Sequence, residues 1–289
     1  MKRMKLGVIG GSGLYEIEGL EGVEEIAVET PFGAPSDRLT TGKLGDAELV
    51  FLPRHGRGHR LMPSELPFRA NIWALKKLGV DAILAVSAVG SMREEIVPGH
   101  LVVVDQFIDR TRHRVDTFFG DGIVGHVHFA DPICAEHADR VHAAAVQAGA
   151  IVHKGGTYVC MEGPQFSTRA ESLLYRSWDV SVIGMTNLQE AKLAREACMC
   201  YSTLALATDY DCWHETEDDV SVEAVLQVIR DNVATAKRVI LELARGLPER
   251  ATCACKHALD HAIMTAPDQI PSEAIERLRI LLPARFLGQ

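Results

Sequence analysis

The chain has 289 residues, 47% of them hydrophobic and 24% charged, with a formal net charge of −9 at pH 7. That length allows a large buried core, while the negative balance disfavours a nucleic-acid partner, whose backbone is met by a basic face that replaces counterions. No run approaches the roughly 18 apolar residues needed to span a bilayer, and Met1 to Leu6 lacks the apolar stretch of a secretory signal, so a cytoplasmic protein with no membrane partner is expected.

Lys5 to Ile9 is a short apolar run without polar alternation, which predicts a strand covered on both faces. It leads into Gly10-Gly11-Ser12-Gly13, a turn whose amides and Ser12 hydroxyl suit a small anion. A dinucleotide fold would need a third glycine, and counting on from Gly11 and Gly13 reaches Glu16. Glu48 to Leu52 predicts a second strand, ending in Pro53-Arg54-His55-Gly56, where the Arg54 fork matches a phosphate on two points and His55 stands beside it. A helix is expected over Ser64 to Leu78. A strand over Ala82 to Ser87 then opens into Ser87-Ala88-Val89-Gly90-Ser91, with a further hydroxyl and free amides.

Leu101 to Val104 predicts a strand and Ala135 to Ala148 a helix. The strand Thr157 to Cys160 precedes Met161-Glu162-Gly163-Pro164-Gln165-Phe166-Ser167-Thr168, in which Phe166 offers a flat face to a ring and Glu162 or Glu171 a hold on an arginine. A helix over Arg169 to Ser177, a strand over Val180 to Met185 and a helix over Leu188 to Ala197 follow. The strand Thr203 to Thr208 leads to Asp209-Tyr210-Asp211, two carboxylates that an extended segment would point the same way. Two acids in one small site repel when both ionise, which favours a proton on one of them. A long helix over Val220 to Ala244 ends before Gly246-Leu247-Pro248, and residues 247–289 read as a helical appendage of a single domain spanning 1–289. Strands alternating with helices predict an α/β fold.

Seven cysteines, an odd number scattered through apolar segments, read as reduced thiols, most of them small core residues. Cys253-Ala254-Cys255 spaces its sulfurs by one residue, whereas zinc knuckles use two to four. Even with His257 and His261 following, no metal is expected.

Together these segments resemble the 5′-methylthioadenosine phosphorylases of the trimeric purine nucleoside phosphorylase family, through GVIGGSGL (Gly7 to Leu14), TPFG (Thr30 to Gly33), PRHGRGH (Pro53 to His59), GSMREEIVPG (Gly90 to Gly99), MEGPQFSTRAES (Met161 to Ser172), GMTN (Gly184 to Asn187) and ATDYDCW (Ala207 to Trp213). The resemblance implies a mixed, twisted sheet bent into a distorted barrel and surrounded by helices, assembled as a homotrimer or a dimer of such trimers. It implies Ser12, Arg54, His55, Ser87, Ala88 and Thr186 as the phosphate set and Met185 against the ribose. It places Phe166, Ser167, Asp209 and Asp211 around the purine, and His59, Val222, Val225 and Leu226 around the 5′ substituent. His126 and Leu281 would reach a neighbouring subunit's pocket. Ser87 stands where threonine is familiar in animal relatives, and Gln189 replaces a common proline. Some microbial members of the family form disulfides at the segment corresponding to Cys253 and Cys255.

The activity so implied is phosphorolysis of 5′-methylthioadenosine in methionine and purine salvage, with inorganic phosphate as co-substrate and no cofactor. Asp209 would protonate the leaving base and Asp211 would accept from its exocyclic amine. Methylthioinosine or a wider range of purine nucleosides is the nearest alternative, but a 6-oxopurine presents a carbonyl oxygen that an ionised Asp211 would leave unpaired, so the acidic pair favours adenine. A nucleoside-binding sensor or an NAD-dependent dehydrogenase is more remote: the sensor gives no reason for acidity at Asp209, and the dehydrogenase lacks its third glycine.

Overall fold

The computed structural model of the chain describes residues 3–14, 16–214, 222–249 and 251–287, with the side chains at 12 and 222–226 outside that description. In chain order the elements are β1 (Leu6–Gly10), β2 (Glu21–Ile26), β3 (Leu39–Leu44), β4 (Ala47–Pro53), α1 (Phe68–Lys77), β5 (Ala82–Ser91), β6 (Leu101–Val103) and β7 (Gln106–Arg110). Then follow α2 (Ala135–Gln147), β8 (Val152–Lys154), β9 (Thr157–Met161), α3 (Arg169–Ser177), β10 (Val182–Gly184), α4 (Asn187–Glu196), β11 (Cys200–Asp209), α5 (Val222–Arg245) and α6 (Ser272–Leu278).

Among the described residues the eleven strands form one mixed sheet, in the order β2-β3-β4-β1-β5-β10-β9-β7, with β11 and then β6 and β8 branching from β5. The apolar runs are the middle of it. All five residues of β1 are buried, as expected of a parallel strand covered on both faces, and β1 lies parallel between β4 and β5. β6 pairs with β11 while β7, two residues further on, pairs with β9. The run Leu101–Arg110 therefore joins the two branches, and the sheet closes on itself as a distorted barrel.

β5 decides where a ligand can enter. One edge follows β11 from Ala82 to Gly90. The other edge takes β1 over Ala82–Ala85 and then β10, antiparallel, only at Gly90 and Ser91. Between Ala85 and Gly90 this second edge has no strand partner in the register. Helices cover the outside: α1 packs on α4, α2 on α5, and α2, α4 and α5 all reach β11. The tail beyond α5 is mostly single turns plus α6, and its Leu278, Leu281, Leu282 and Phe286 join the same buried cluster as β1 and β5.

Candidate active site

A cavity of about 760 Å³ opens at the unpaired stretch of β5 and runs to the end of β11. Strand alternation sets its polarity. Ala82 donates its amide to Lys5 on the β1 side, and the Val86 carbonyl on that same edge accepts from Arg54, so even-numbered residues of β5 aim their backbone groups there. The Ala88 amide consequently faces the gap. Because β10 runs antiparallel to β5, with Val182 opposite Ser91 and Ile183 opposite Gly90, the chain continuing past Gly184 brings Met185 and Thr186 down towards Ala88 and Ser87. All four residues line the cavity. Gly184 is required at this approach, since a β-carbon there would lie 1.9 Å from the Tyr158 hydroxyl.

Arg54 and His55 arrive at the same place from the end of β4. The guanidinium does not present the two-point fork to the cavity. Its Nε donates to Glu190 Oε1 at 2.5 Å and Nη2 to Oε2 at 3.2 Å, with both side chains buried. Nη2 also reaches the Ile9 carbonyl and Nη1 the Val86 carbonyl at 2.8 Å, leaving one of five hydrogens, on Nη1, for a ligand. Glu190 in turn accepts from Tyr201 at 3.0 Å, and Tyr201 joins Asn187, Thr203, Tyr158 and Thr186 in a buried hydroxyl and amide network. His55 brings no charge either. Burial pushes its pKa down to about 4, and Nδ1 sits 2.8 Å from the Leu61 carbonyl, which assigns the proton to Nδ1 and leaves Nε2 an acceptor. His59 stacks on this ring with centroids 4.3 Å apart and also lines the cavity.

At the far end stand Asp209 and Asp211. They converge through a turn, not through strand alternation. The register of β11 shifts between Ala207 and Asp209, Asp211 takes a positive φ of 53°, and its amide donates to Asp209 Oδ1 at 2.8 Å. Asp209 Oδ2 accepts from Thr208 at 2.7 Å, while Asp211 accepts from Ser172 at 2.5 Å and Ser167 at 3.5 Å. Burial raises the Asp211 pKa, with the neighbouring Asp209 charge adding to the shift and the serine hydroxyls opposing it. Phe166 lines the cavity mouth and is 84% exposed, whereas Ser167 touches the site through Asp211.

The two glutamates near Phe166 separate cleanly. Glu171 closes a capping box with Thr168 at the start of α3. Glu162 holds Arg112 through its amide and Arg114 through its side chain. Arg114, which sequence reasoning passed over, also donates to the carbonyls of Glu162 and Met185 and to Gln189 at 3.0 Å. It thereby clamps the ends of β9 and β10 together. Gln189, fully buried, completes this clamp by donating to Thr111.

Two residues were expected at a neighbouring subunit's pocket, not at this cavity. His126 is exposed and outside the cavity lining, and Leu281 is 8% exposed, packed into the core of its own chain. The side chains of Ser12, Val222, Val225 and Leu226 fall outside the described residues.

Residues 5–245 match the model of the phosphorylase superfamily. The chain is 62% identical over 278 residues to the S-methyl-5'-thioadenosine phosphorylase of Geobacter sulfurreducens, covering 96% of this chain and 97% of that one. It is 54% identical to that of Koribacter versatilis, covering 99% and 97%. A crystal structure of a methylthioadenosine phosphorylase sourced from an Antarctic soil metagenomic library superposes with a TM-score of 0.93 at 47% identity, over 98% of this chain and 100% of that one. The Schistosoma mansoni methylthioadenosine phosphorylase in complex with adenine gives a TM-score of 0.77 at 39% identity, over 84% and 91%. With its gapped β5, its buried arginine and its paired aspartates, the chain belongs to the S-methyl-5'-thioadenosine phosphorylases of the phosphorylase superfamily.

Proposed function

We propose that the chain cleaves 5′-methylthioadenosine with inorganic phosphate, giving adenine and 5-methylthioribose 1-phosphate. The observation that carries this reading is one cavity with hydroxyl, backbone amide and guanidinium donors at one end and two carboxylates at the other. The Ala88 amide, the hydroxyls of Ser12, Ser87 and Thr186 and the remaining Arg54 hydrogen hold the phosphate, with His55 Nε2 accepting its proton. Holding the nucleophile in line supplies effective concentration. As the C1′–N9 bond breaks, a phosphate oxygen bonds C1′ and the purine takes up a proton at N7.

Asp209 and Asp211 share that proton as a pair: Asp209 delivers it to N7 and Asp211 meets the exocyclic amine. Phe166 and Ser167 flank the purine, Met185 lies on the ribose, and His59, Val222, Val225 and Leu226 surround the methylthio group. One domain spanning 1–289 does this, working in the cytoplasm in methionine and purine salvage, as a homotrimer or a dimer of trimers. His126 reaches the neighbouring pocket; the burial of Leu281 in its own chain argues against a like role for that residue. Methylthioinosine is the runner-up substrate: an ionised Asp211 facing its 6-oxo oxygen would leave two acceptors unpaired, so the acidic pair favours adenine.

The test offers methylthioadenosine, adenosine and methylthioinosine to the enzyme with and without phosphate and measures free base. Phosphate-dependent release, greatest from methylthioadenosine, is expected. Release without phosphate, or a preference for methylthioinosine, refutes the assignment.

A further inference from the structure

Four of the seven cysteines, far apart in the chain, meet at one point. Cys134 is the cap residue of α2, Cys200 opens β11, and Cys253 and Cys255 flank a turn in the tail. All four sulfurs lie within 4.8 Å of one another, and three of the four residues are buried. Backbone and ionic contacts hold these segments together independently of sulfur. The Cys134 amide donates to the Tyr201 carbonyl at 3.0 Å, the Cys200 amide to the Asp81 carbonyl at 3.1 Å, and Lys256 pairs with Asp81 at 2.9 Å. None of the four lines the catalytic cavity.

We propose that Cys134, Cys200, Cys253 and Cys255 form a structural zinc site. A tetrahedral tetrathiolate with zinc–sulfur bonds of about 2.3 Å has sulfur–sulfur edges of about 3.8 Å, so four sulfurs grouped within 4.8 Å need little movement to accept the ion. Soft thiolates select zinc over the harder divalent ions. The one-residue spacing of Cys253 and Cys255 is no obstacle, because the other ligands come from α2 and β11. Histidines do not complete the set. His257 and His261 are exposed, and His257 faces Asp260 at 3.0 Å. A disulfide is the competing use. The Cys200 and Cys253 sulfurs lie 3.3 Å apart, and a bridge there could be joined by a second between Cys134 and Cys255, but one tetrahedral ion accounts for all four sulfurs meeting at a single point.

On binding, four S–H groups release their protons to solvent, four sulfur–zinc bonds form, and no electrons are transferred. The remaining double negative charge lies at the positive end of α2. The function is mechanical: a tail with little regular structure is fastened to the sheet at a site remote from catalysis.

The experiment reconstitutes the purified full-length chain with zinc chloride under reducing conditions and determines metal by elemental analysis after desalting. Cobalt substitution, read from the visible bands of a tetrahedral tetrathiolate, reports geometry. About one zinc per chain is expected, absent from the double variant Cys253→Ser/Cys255→Ser and retained by Cys198→Ser, whose sulfur lies outside the cluster. Folded wild-type protein that retains no stoichiometric zinc, or cobalt spectra without thiolate character, overturns the site. So does non-reducing mass analysis that finds these cysteines paired as disulfides in protein isolated without added oxidant.

Discussion

A guanidinium that grips a buried carboxylate on two points has little left for a ligand, and Arg54 holds Glu190 in this way. Removing one partner strands a buried charge. Arg54→Ala alone is expected to lose about 3–5 kcal/mol of stability, and Arg54→Ala/Glu190→Ala to lose less, as read from denaturation midpoints. A double variant no more stable than the single one shows that the pair is not the source of the loss. In sequence, Arg54 was legible as a site residue but its partner was not, since Glu190 sits 136 positions away on α4. The aspartates were legible as a pair, yet the turn that joins them was hidden by Asp211's positive φ, a conformation non-glycine residues seldom adopt. For this pair, Asp209→Asn should lower kcat by about 10²- to 10⁴-fold with little change in nucleoside KM, whereas Asp211→Asn should move preference towards 6-oxopurines. Equal small losses in steady-state kinetics on adenine and hypoxanthine nucleosides contradict that division.

At the scale of elements, apolar runs announced the interior of the sheet, and the strands that went unread, β2, β3, β7 and β8, are those whose sequences mix in polar residues. β2 is exposed or half-buried along its length and β7 carries exposed residues at both ends, so neither shows the pattern of a covered strand. The gap in β5, at which the cavity opens, follows from strand pairing and leaves no trace in composition. The end of α4 carries a further consequence. Glu196, 7% exposed, accepts from the Thr117 hydroxyl at 2.7 Å and the Phe118 amide at 2.6 Å, yet burial outweighs both and lifts its pKa from 4.5 to about 7. A carboxyl that binds its proton more tightly when folded adds stability below about pH 4.5, and that stability disappears as pH rises to about 7. The shift corresponds to about 3 kcal/mol at about 1.4 kcal/mol per unit. Urea midpoints of the wild type should therefore fall between pH 5 and pH 8 relative to Glu196→Gln, and parallel profiles for the two proteins exclude Glu196 as the cause.

At the scale of the whole molecule, the aspartate end of the cavity, where the proposed reading seats the purine, adjoins residues that a lone chain leaves in water. Phe166 is 84% exposed, and on the following helix Leu173 and Leu174 are 54% and 45% exposed, with Trp178 at its end 40% exposed. Apolar exposure of this kind marks a surface that associates, and a second copy of the chain is the occupant that the homotrimer of the proposed reading supplies. Burial there would hold Phe166 against the base, whereas an unsupported ring must be ordered by each substrate in turn. Charges placed on α3 away from the cavity should thus act on both assembly and binding. Leu173→Glu/Leu174→Glu is expected to shift the light-scattering mass from three chains towards one and to raise the nucleoside KM by about tenfold, equivalent to about 1.4 kcal/mol, while leaving the phosphate KM nearly unchanged. A variant that stays trimeric shows that this face is not what holds the copies together, and a monomer with unaltered nucleoside KM shows that the pocket does not depend on it.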